Sequence, residues 1–153
     1  MKLSTIFLFI SIVFFSCEEK LEKEVINSYP SGTPMTVNYW KWEGNGKEIK
    51  RQEKFDENGK KILEIHMENG LKEGLTTYWN EENGEKWIEE TFSKGKLNGI
   101  YKVWYTDGTL NYEGKYIDGL PDGQWDFYND KGKKTTEIIY QRGKEIKKNI
   151  INE

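Results

Sequence analysis

The sequence predicts an all-β protein, an elongated antiparallel β-meander of about four hairpin repeats of 24 residues each. Three observations lead to this fold class. Glycines recur at a fixed period, most of them follow Asn or Asp, and aromatic or apolar residues alternate with polar ones between them. No helical period competes with this pattern.

The glycine period defines the repeat. One set of glycines recurs every 24 or 25 residues, a second set lies between its members, and a third follows the first by four residues. Two turn glycines in each unit leave segments of about seven to nine residues, which is the length of a strand with its turn. The first set is Gly46, Gly70, Gly95, Gly119 and Gly143, the second is Gly59, Gly84, Gly108 and Gly132, and the third is Gly74, Gly99 and Gly123.

Six glycines of the first two sets, which are the turn sets, belong to Asn-Gly or Asp-Gly dipeptides. Such dipeptides supply the positive φ angles that a type I′ hairpin turn requires at both central residues. We therefore expect type I′ turns at both turn sets. The dipeptides are Asn45-Gly46, Asn58-Gly59, Asn69-Gly70, Asn83-Gly84, Asp107-Gly108 and Asp118-Gly119.

The strands between the turns show the alternation of a half-buried strand. The second and fourth residues after the third glycine set are ring-bearing or apolar in five of six cases. They are Thr76, Tyr101 and Trp125 at the second position and Tyr78, Val103 and Phe127 at the fourth. Because a single hairpin is marginally stable in water, consecutive hairpins must pair into one sheet. Residues 37–42 and 144–150 are expected to be capping strands, which places the repeat domain at residues 36–150.

The N-terminus predicts export. Lys2 precedes an uncharged apolar run over residues 3–15, which is shorter than the roughly 17–25 residues of a membrane-spanning helix. The segment Phe14-Phe15-Ser16-Cys17 resembles a bacterial lipobox, in which the cysteine is acylated. We predict a lipoprotein signal peptide over residues 1–16, lipid attachment at Cys17 and a tether without a strand over residues 17–35. The alternative is an incidental cysteine beside a conventional cleavage site.

Composition excludes several function classes. The 23 basic and 26 acidic residues are mixed along the chain, so a nucleic-acid footprint is absent. The only histidine, His66, is expected to be solvated, and the only cysteine is Cys17, so we predict neither a metal site nor a cofactor. Two carboxylate pairs suit glycoside hydrolysis by residue type, but a chain with 32% charged residues produces such pairs by chance. These pairs are Glu89 with Glu90 and Asp126 with Asp130, and we predict no catalytic residues and no enzyme.

The aromatic residues have two interpretations. Most are expected to stack between hairpins as the core, whereas rings on the other face would form a binding patch, since Trp and Tyr are enriched at contact hot spots. Trp87, Trp104 and Tyr105 are the predicted binding residues because their positions break the alternation of the buried face.

Three consecutive units resemble MORN-type repeats of the bacterial variant class, and most of all the YwqK-family antitoxins. The resemblance covers about residues 46–146, and its segments are GLKEGLTTYWNEENG, GKLNGIYKVWYTDG and GLPDGQWDFYNDKG. It implies a twisted antiparallel sheet that serves as a scaffold for contacts with proteins and, in some relatives, with lipids.

The sequence as a whole predicts a non-catalytic protein-interaction module. We expect a monomer that binds a protein partner and is held by lipidated Cys17 in the bacterial cell envelope, at the outer membrane on its periplasmic or surface side. The alternatives are an antitoxin or immunity-type protein that neutralises a toxin and, third, a protein that binds or acts on envelope glycan.

Overall fold

The computed structural model describes residues 20–44 and 46–151, so the predicted signal peptide and Cys17 lie outside the described residues. The described residues form eleven strands in one antiparallel sheet, in which each strand pairs with its neighbours in chain order. The all-β meander is therefore confirmed. The strands are β1 Glu22–Ser28, β2 Pro34–Glu43, β3 Gly46–Phe55, β4 Lys61–Glu68, β5 Leu71–Trp79, β6 Lys86–Ser93, β7 Lys96–Trp104, β8 Leu110–Ile117, β9 Leu120–Tyr128, β10 Lys134–Gln141 and β11 Lys144–Ile150. Within this part of the chain, no helix has the length and apolar character needed to cross a membrane.

One set of turns has the predicted type I′ geometry. At Asn69-Gly70 the φ angles are 51° and 73°, and Asp118-Gly119 is closely similar with 52° and 82°. The same geometry occurs at Lys94-Gly95 and Arg142-Gly143, where a long basic side chain takes the place of Asn or Asp. The left-handed backbone at both central residues matches the twist of the flanking strands.

The type I′ prediction is wrong for the other set. Gly59, Gly84, Gly108 and Gly132 have positive φ, but the residues before them do not. In the β3–β4 turn, Gly59 N donates to Asp56 O at 3.0 Å and Asp56 N donates to Lys60 O at 2.9 Å. This is the pattern of a type I turn closed by a left-handed glycine, which places a bulge where the strands begin to pair.

Two further predictions about the N-terminal part are corrected. Gly46 opens β3 and pairs with Glu43, so it is not the second residue of a turn. Residues 22–28, predicted as part of a tether without a strand, form β1 and pair with β2 through Val25 and Val37. Every residue of β1 is exposed. A strand without a buried side needs no apolar face, which is why the sequence pattern did not predict it.

The β1–β2 turn repeats the β7–β8 turn. Gly32 N donates to Tyr29 O at 2.9 Å, as Gly108 N donates to Tyr105 O at 3.0 Å. The two tyrosine hydroxyls also act alike, because each donates to the last carbonyl of a strand in the next hairpin, at 3.0 Å for Tyr29 and 2.9 Å for Tyr105. The segments YPSGT and YTDGT carried this signal in the sequence.

The sheet has two chemically different faces, because consecutive residues of a strand point to opposite sides. We call one the aromatic face; its rings are Tyr101, Tyr112, Tyr116, Trp125, Phe127 and Tyr140. We call the other the charged face; one row of residues paired from β3 to β10 runs along it, namely Glu53, Glu64, Thr77, Glu89, Lys102, Glu113, Asp126 and Glu137.

The core lies on the aromatic face around Trp125. This side chain is only 5% exposed, although a single sheet has no second layer to cover it. Its ring lies 5.1 Å from that of Tyr116 and 6.0 Å from that of Tyr101, centroid to centroid. Gly114, on the strand between, makes this possible, since a Cβ there would overlap the Trp125 ring. Neighbouring aromatic side chains therefore bury one another.

Candidate functional site

The charged face is a ladder of ion pairs that repeats with the sequence. The same position of four repeats is Glu64, Glu89, Glu113 and Glu137, and each carboxylate has a lysine ammonium within 3.1 Å. In three repeats the lysine lies three residues earlier in the chain. The other repeat has Leu110 there, and Lys102 of the neighbouring strand pairs with Glu113 at 2.8 Å instead. These charges are satisfied within the sheet, which is a structural role.

A second charged group lies near the N-terminal end of the sheet. Lys50 Nζ lies 3.0 Å from Glu43, 2.9 Å from Glu48 and 2.8 Å from Glu68. The three carboxylates are close enough together to hold a metal ion, with ligand atoms within 4.8 Å of one another. The ammonium already occupies this position, and its hydrogen bonds to Glu68 and then to Glu48 raise the pKa of Lys50, so it stays charged.

The carboxylate pairs considered from the sequence are not brought together. Glu89 and Glu90 are consecutive in β6 and point to opposite faces, since Glu89 pairs with Lys102 and Glu90 with Tyr101. Asp126 lies 2.7 Å from the Lys134 ammonium, whereas Asp130 is in an exposed turn. His66 is exposed, and its Nε2 lies 3.0 Å from Glu64.

The three predicted binding residues lie in different surroundings. Trp87 is 50% exposed and lines an open cleft of about 410 Å³. Trp104 and Tyr105, both half-buried, are not among the residues lining this cleft. The Tyr105 hydroxyl donates a hydrogen bond to the Tyr128 carbonyl, as the Tyr29 hydroxyl does to the Phe55 carbonyl. Tyr105 therefore has the structural role of linking two hairpins.

The cleft lies at the ends of interior strands of the sheet, beside the turn that joins β5 to β6. This turn is one residue longer than its equivalents, because Gly84 N reaches back four residues to Asn80 O, whereas Gly59 N reaches back three. The extra residue accounts for the interval of 25 between Gly59 and Gly84. Five of the nine lining residues are apolar or aromatic, and the others are polar or charged: Lys54, Ile62, Leu63, Tyr78, Trp79, Asn80, Glu81, Trp87 and Thr106.

Glu90 is the residue that the sequence reasoning did not single out as a binding residue. It lies on the aromatic face between Thr76 and Tyr101, its partners on the neighbouring strands. The Tyr78 hydroxyl, from the cleft, donates to Glu90 Oε2 at 3.4 Å. Burial and then the Glu90 charge raise the pKa of Tyr78, so the phenol remains a donor. The equivalent positions of the other repeats are Ile65, Gly114 and Ile138. The glutamate at position 90 departs from this pattern, and that difference could have identified it from the sequence.

Comparison of the chain with protein-family models, with curated proteins and with solved structures finds no match. The resemblance to MORN-type repeats therefore stays a prediction. The chemical character of the surface indicates what kind of group it could bind. The Trp87 cleft and the Glu90 carboxylate are connected through Tyr78, and together they combine apolar surface, ring faces and one negative charge.

Proposed function

We propose that this protein is a non-catalytic interaction module that presents the Trp87 cleft and the adjoining aromatic face to a protein partner. One observation carries the proposal: half of the Trp87 side chain is exposed inside a largely apolar cleft. Tryptophan in an apolar pocket is the residue type most enriched at binding hot spots.

The surroundings of the cleft support the same function. Lys54, Asn80 and Glu81 add polar and charged groups to its apolar lining. Protein–protein interfaces usually combine apolar surface with such polar groups. The carboxylate ladder of the charged face is paired internally with lysines, which makes these carboxylates the poorer candidates for contact with a partner.

The proposal includes a lipid anchor at Cys17 in the bacterial cell envelope. It rests on the apolar run that ends at Ser16 and on the single cysteine that follows it. The acyl chains of a lipidated cysteine would hold the chain at the membrane surface. Mass spectrometry of the mature N-terminus tests the anchor, and an unacylated terminus at residue 18 or later contradicts it.

The binding function is tested with Trp87→Ala. The partner is captured from native membranes by the full chain and identified by mass spectrometry, and its affinity is then measured with purified components. We expect Trp87→Ala to weaken binding at least about tenfold, as truncation of a hot-spot tryptophan does. Its thermal unfolding should change little, because the side chain is half exposed.

The matched control is Trp42→Ala. Trp42 is a second exposed tryptophan, 58% exposed, on β2 and outside the cleft. This variant should bind the partner like the wild type. If Trp87→Ala retains the wild-type affinity while both variants remain folded, the proposed contact surface is wrong.

A further inference from the structure

Glu90 occupies a position that the other repeats fill with apolar residues or glycine. Ile65, Gly114 and Ile138 stand at the equivalent place, and Ile138 is 7% exposed in the core. A half-buried carboxylate at such a position loses hydration without gaining apolar contact. The substitution is therefore costly for the sheet alone, which points to a role outside the repeat scaffold.

The surroundings of Glu90 are aromatic, and none of the ion pairs among the described residues includes its carboxylate. Tyr101 pairs with it across β7, and the Tyr78 hydroxyl lies 3.4 Å from its Oε2. The rings of Tyr101 and Tyr116 form an edge contact, with centroids 5.3 Å apart. Burial, then the neighbouring Tyr112 and then the Glu90 charge raise the pKa of both Tyr101 and Tyr116.

Glu89, the preceding residue, shows the contrast. Its carboxylate lies 2.5 Å from the Lys86 ammonium. Over residues 20–44 and 46–151, no lysine, arginine or histidine forms an ion pair with Glu90. Beside it, Thr76 is fully buried and its Oγ1 has no hydrogen-bond partner within the same residues, so this hydroxyl does not satisfy the carboxylate.

We propose that Glu90, together with Tyr78 and Tyr101, binds the ammonium group of a lysine side chain on the protein partner. A carboxylate and the faces of tyrosine rings both attract a cation, and the ring contribution grows as water is displaced. A divalent metal is a poorer fit, since Ca²⁺ takes about six to eight oxygen ligands and Mg²⁺ is usually held by carboxylates together with phosphates, whereas this site offers one carboxylate beside ring faces.

The inference rests on the proposed function, because the lysine belongs to the partner that occupies the cleft. Tyr78 lines the cleft and also donates to Glu90, so the two sites adjoin each other at this residue. A partner segment that places an apolar side chain beside Trp87 would carry its lysine a few residues away. The attraction between this lysine and Glu90 then determines which apolar segments of a partner the surface binds.

The first test uses Nα-acetyl-lysine methylamide as the probe, titrated into the full chain and followed by NMR. We expect saturable shifts of the Tyr78 and Tyr101 ring signals, and none with the Nε-acetylated form of the same probe, which is neutral. Glu90→Gln should weaken probe binding at least about fivefold, which corresponds to the loss of about 1 kcal/mol from one charge contact. Glu89→Gln is the matched control and should leave it unchanged.

Two results overturn the site: equal binding of the charged and neutral probes, or equal binding by Glu90→Gln and the wild type. Glu90→Ile, which introduces the residue found at positions 65 and 138, provides a second folded variant that should also fail to bind.

The second test uses the partner identified with the wild type. If Trp87→Ala weakens its affinity but Glu90→Gln does not, the lysine assignment is wrong and the interaction function stands. That outcome together with probe binding at Glu90 would mean that the site takes a free amine rather than a partner side chain. If neither variant changes the affinity, the proposed function itself fails.

Discussion

Glu89 and Glu90 are adjacent in the chain and opposite in role. Glu89 points to the charged face, pairs with Lys86 and has an equivalent glutamate in three other repeats. Glu90 points to the aromatic face, has a tyrosine hydroxyl as its hydrogen-bond partner and has no glutamate at its equivalent positions. In a repeat protein, the features that recur build the sheet, and a departure from the repeat at a costly position indicates what this chain does in particular.

The two faces also differ in how they stabilise the sheet. Exposed ion pairs contribute about 0–1 kcal/mol each, since both partners remain hydrated when the pair is broken. Buried rings contribute more, because each removes a large apolar area from water. We therefore expect the stability of this single-layer sheet to reside mainly on the aromatic face, around Trp125.

The largest effect is expected from Gly114→Ala. A methyl group at this position would overlap the Trp125 ring, so either the ring or the β8 backbone must move. We expect the free energy of unfolding in urea to fall by about 2 kcal/mol, as for an overpacked core.

Gly46→Ala is the control for this prediction. Gly46 also lacks a positive φ, and a Cβ there would meet nothing within 4 Å. Its unfolding free energy should lie within about 0.5 kcal/mol of the wild type. Equal stability of the two variants would show that the glycine beneath Trp125 is not a packing requirement.

The substitutions Glu89→Ile and Glu90→Ile are expected to change the free energy of unfolding in opposite directions, and the size of this effect is intermediate. The first removes the partner of Lys86, and the second replaces an unpaired carboxylate with the apolar residue of two other repeats. The β propensity of isoleucine largely cancels, since both changes lie in β6. We expect Glu90→Ile to be more stable than Glu89→Ile by about 1 kcal/mol in urea unfolding. The reverse order would remove the argument that Glu90 is retained for binding.

The smallest effect concerns tyrosine ionisation at alkaline pH. Burial and then the Glu90 charge raise the pKa of Tyr78 above its ordinary value of 10.0. A pKa raised by folding stabilises the protein below the unfolded pKa, and this contribution is lost as the pH rises through the folded value. Ultraviolet titration should therefore show earlier phenolate formation in Glu90→Gln than in the wild type, with no change of the Tyr78 transition in Glu89→Gln. Identical titrations of Glu90→Gln and Glu89→Gln would show that the Glu90 charge does not influence the Tyr78 phenol.

The strand plan could be predicted from the sequence because hairpin turns are local. Asn-Gly and Asp-Gly dipeptides therefore mark the position of a turn but not its type. Asn69-Gly70 forms a type I′ turn, whereas the same dipeptide at Asn58-Gly59 ends a type I turn that is closed by the glycine. The hydrogen bond from Gly59 to Asp56, and not the dipeptide, distinguishes the two turns.

The features that escaped prediction depend on contacts between strands. β1 has no buried residue of its own and is held by pairing with β2. Trp87 was predicted as a binding residue, but the cleft beside it is lined from several strands and turns. The surroundings of Glu90 likewise depend on strand pairing, while Lys86 pairs with the neighbouring Glu89. Comparing equivalent positions among the repeats would have found Glu90, since only its departure from Ile65 and Ile138 is visible in the sequence.

The early start of β1 limits the reach of a lipidated protein. Only residues 18–21 separate Cys17 from Glu22, so an extended chain spans at most about 18 Å between them. Neighbouring strands are about 4.8 Å apart, which places β6 about 24 Å further along the sheet from β1. With the proposed lipid anchor at Cys17, the sheet would stay close to the bilayer, and a molecule that binds at β6 would come to within a few tens of ångströms of the lipid headgroups.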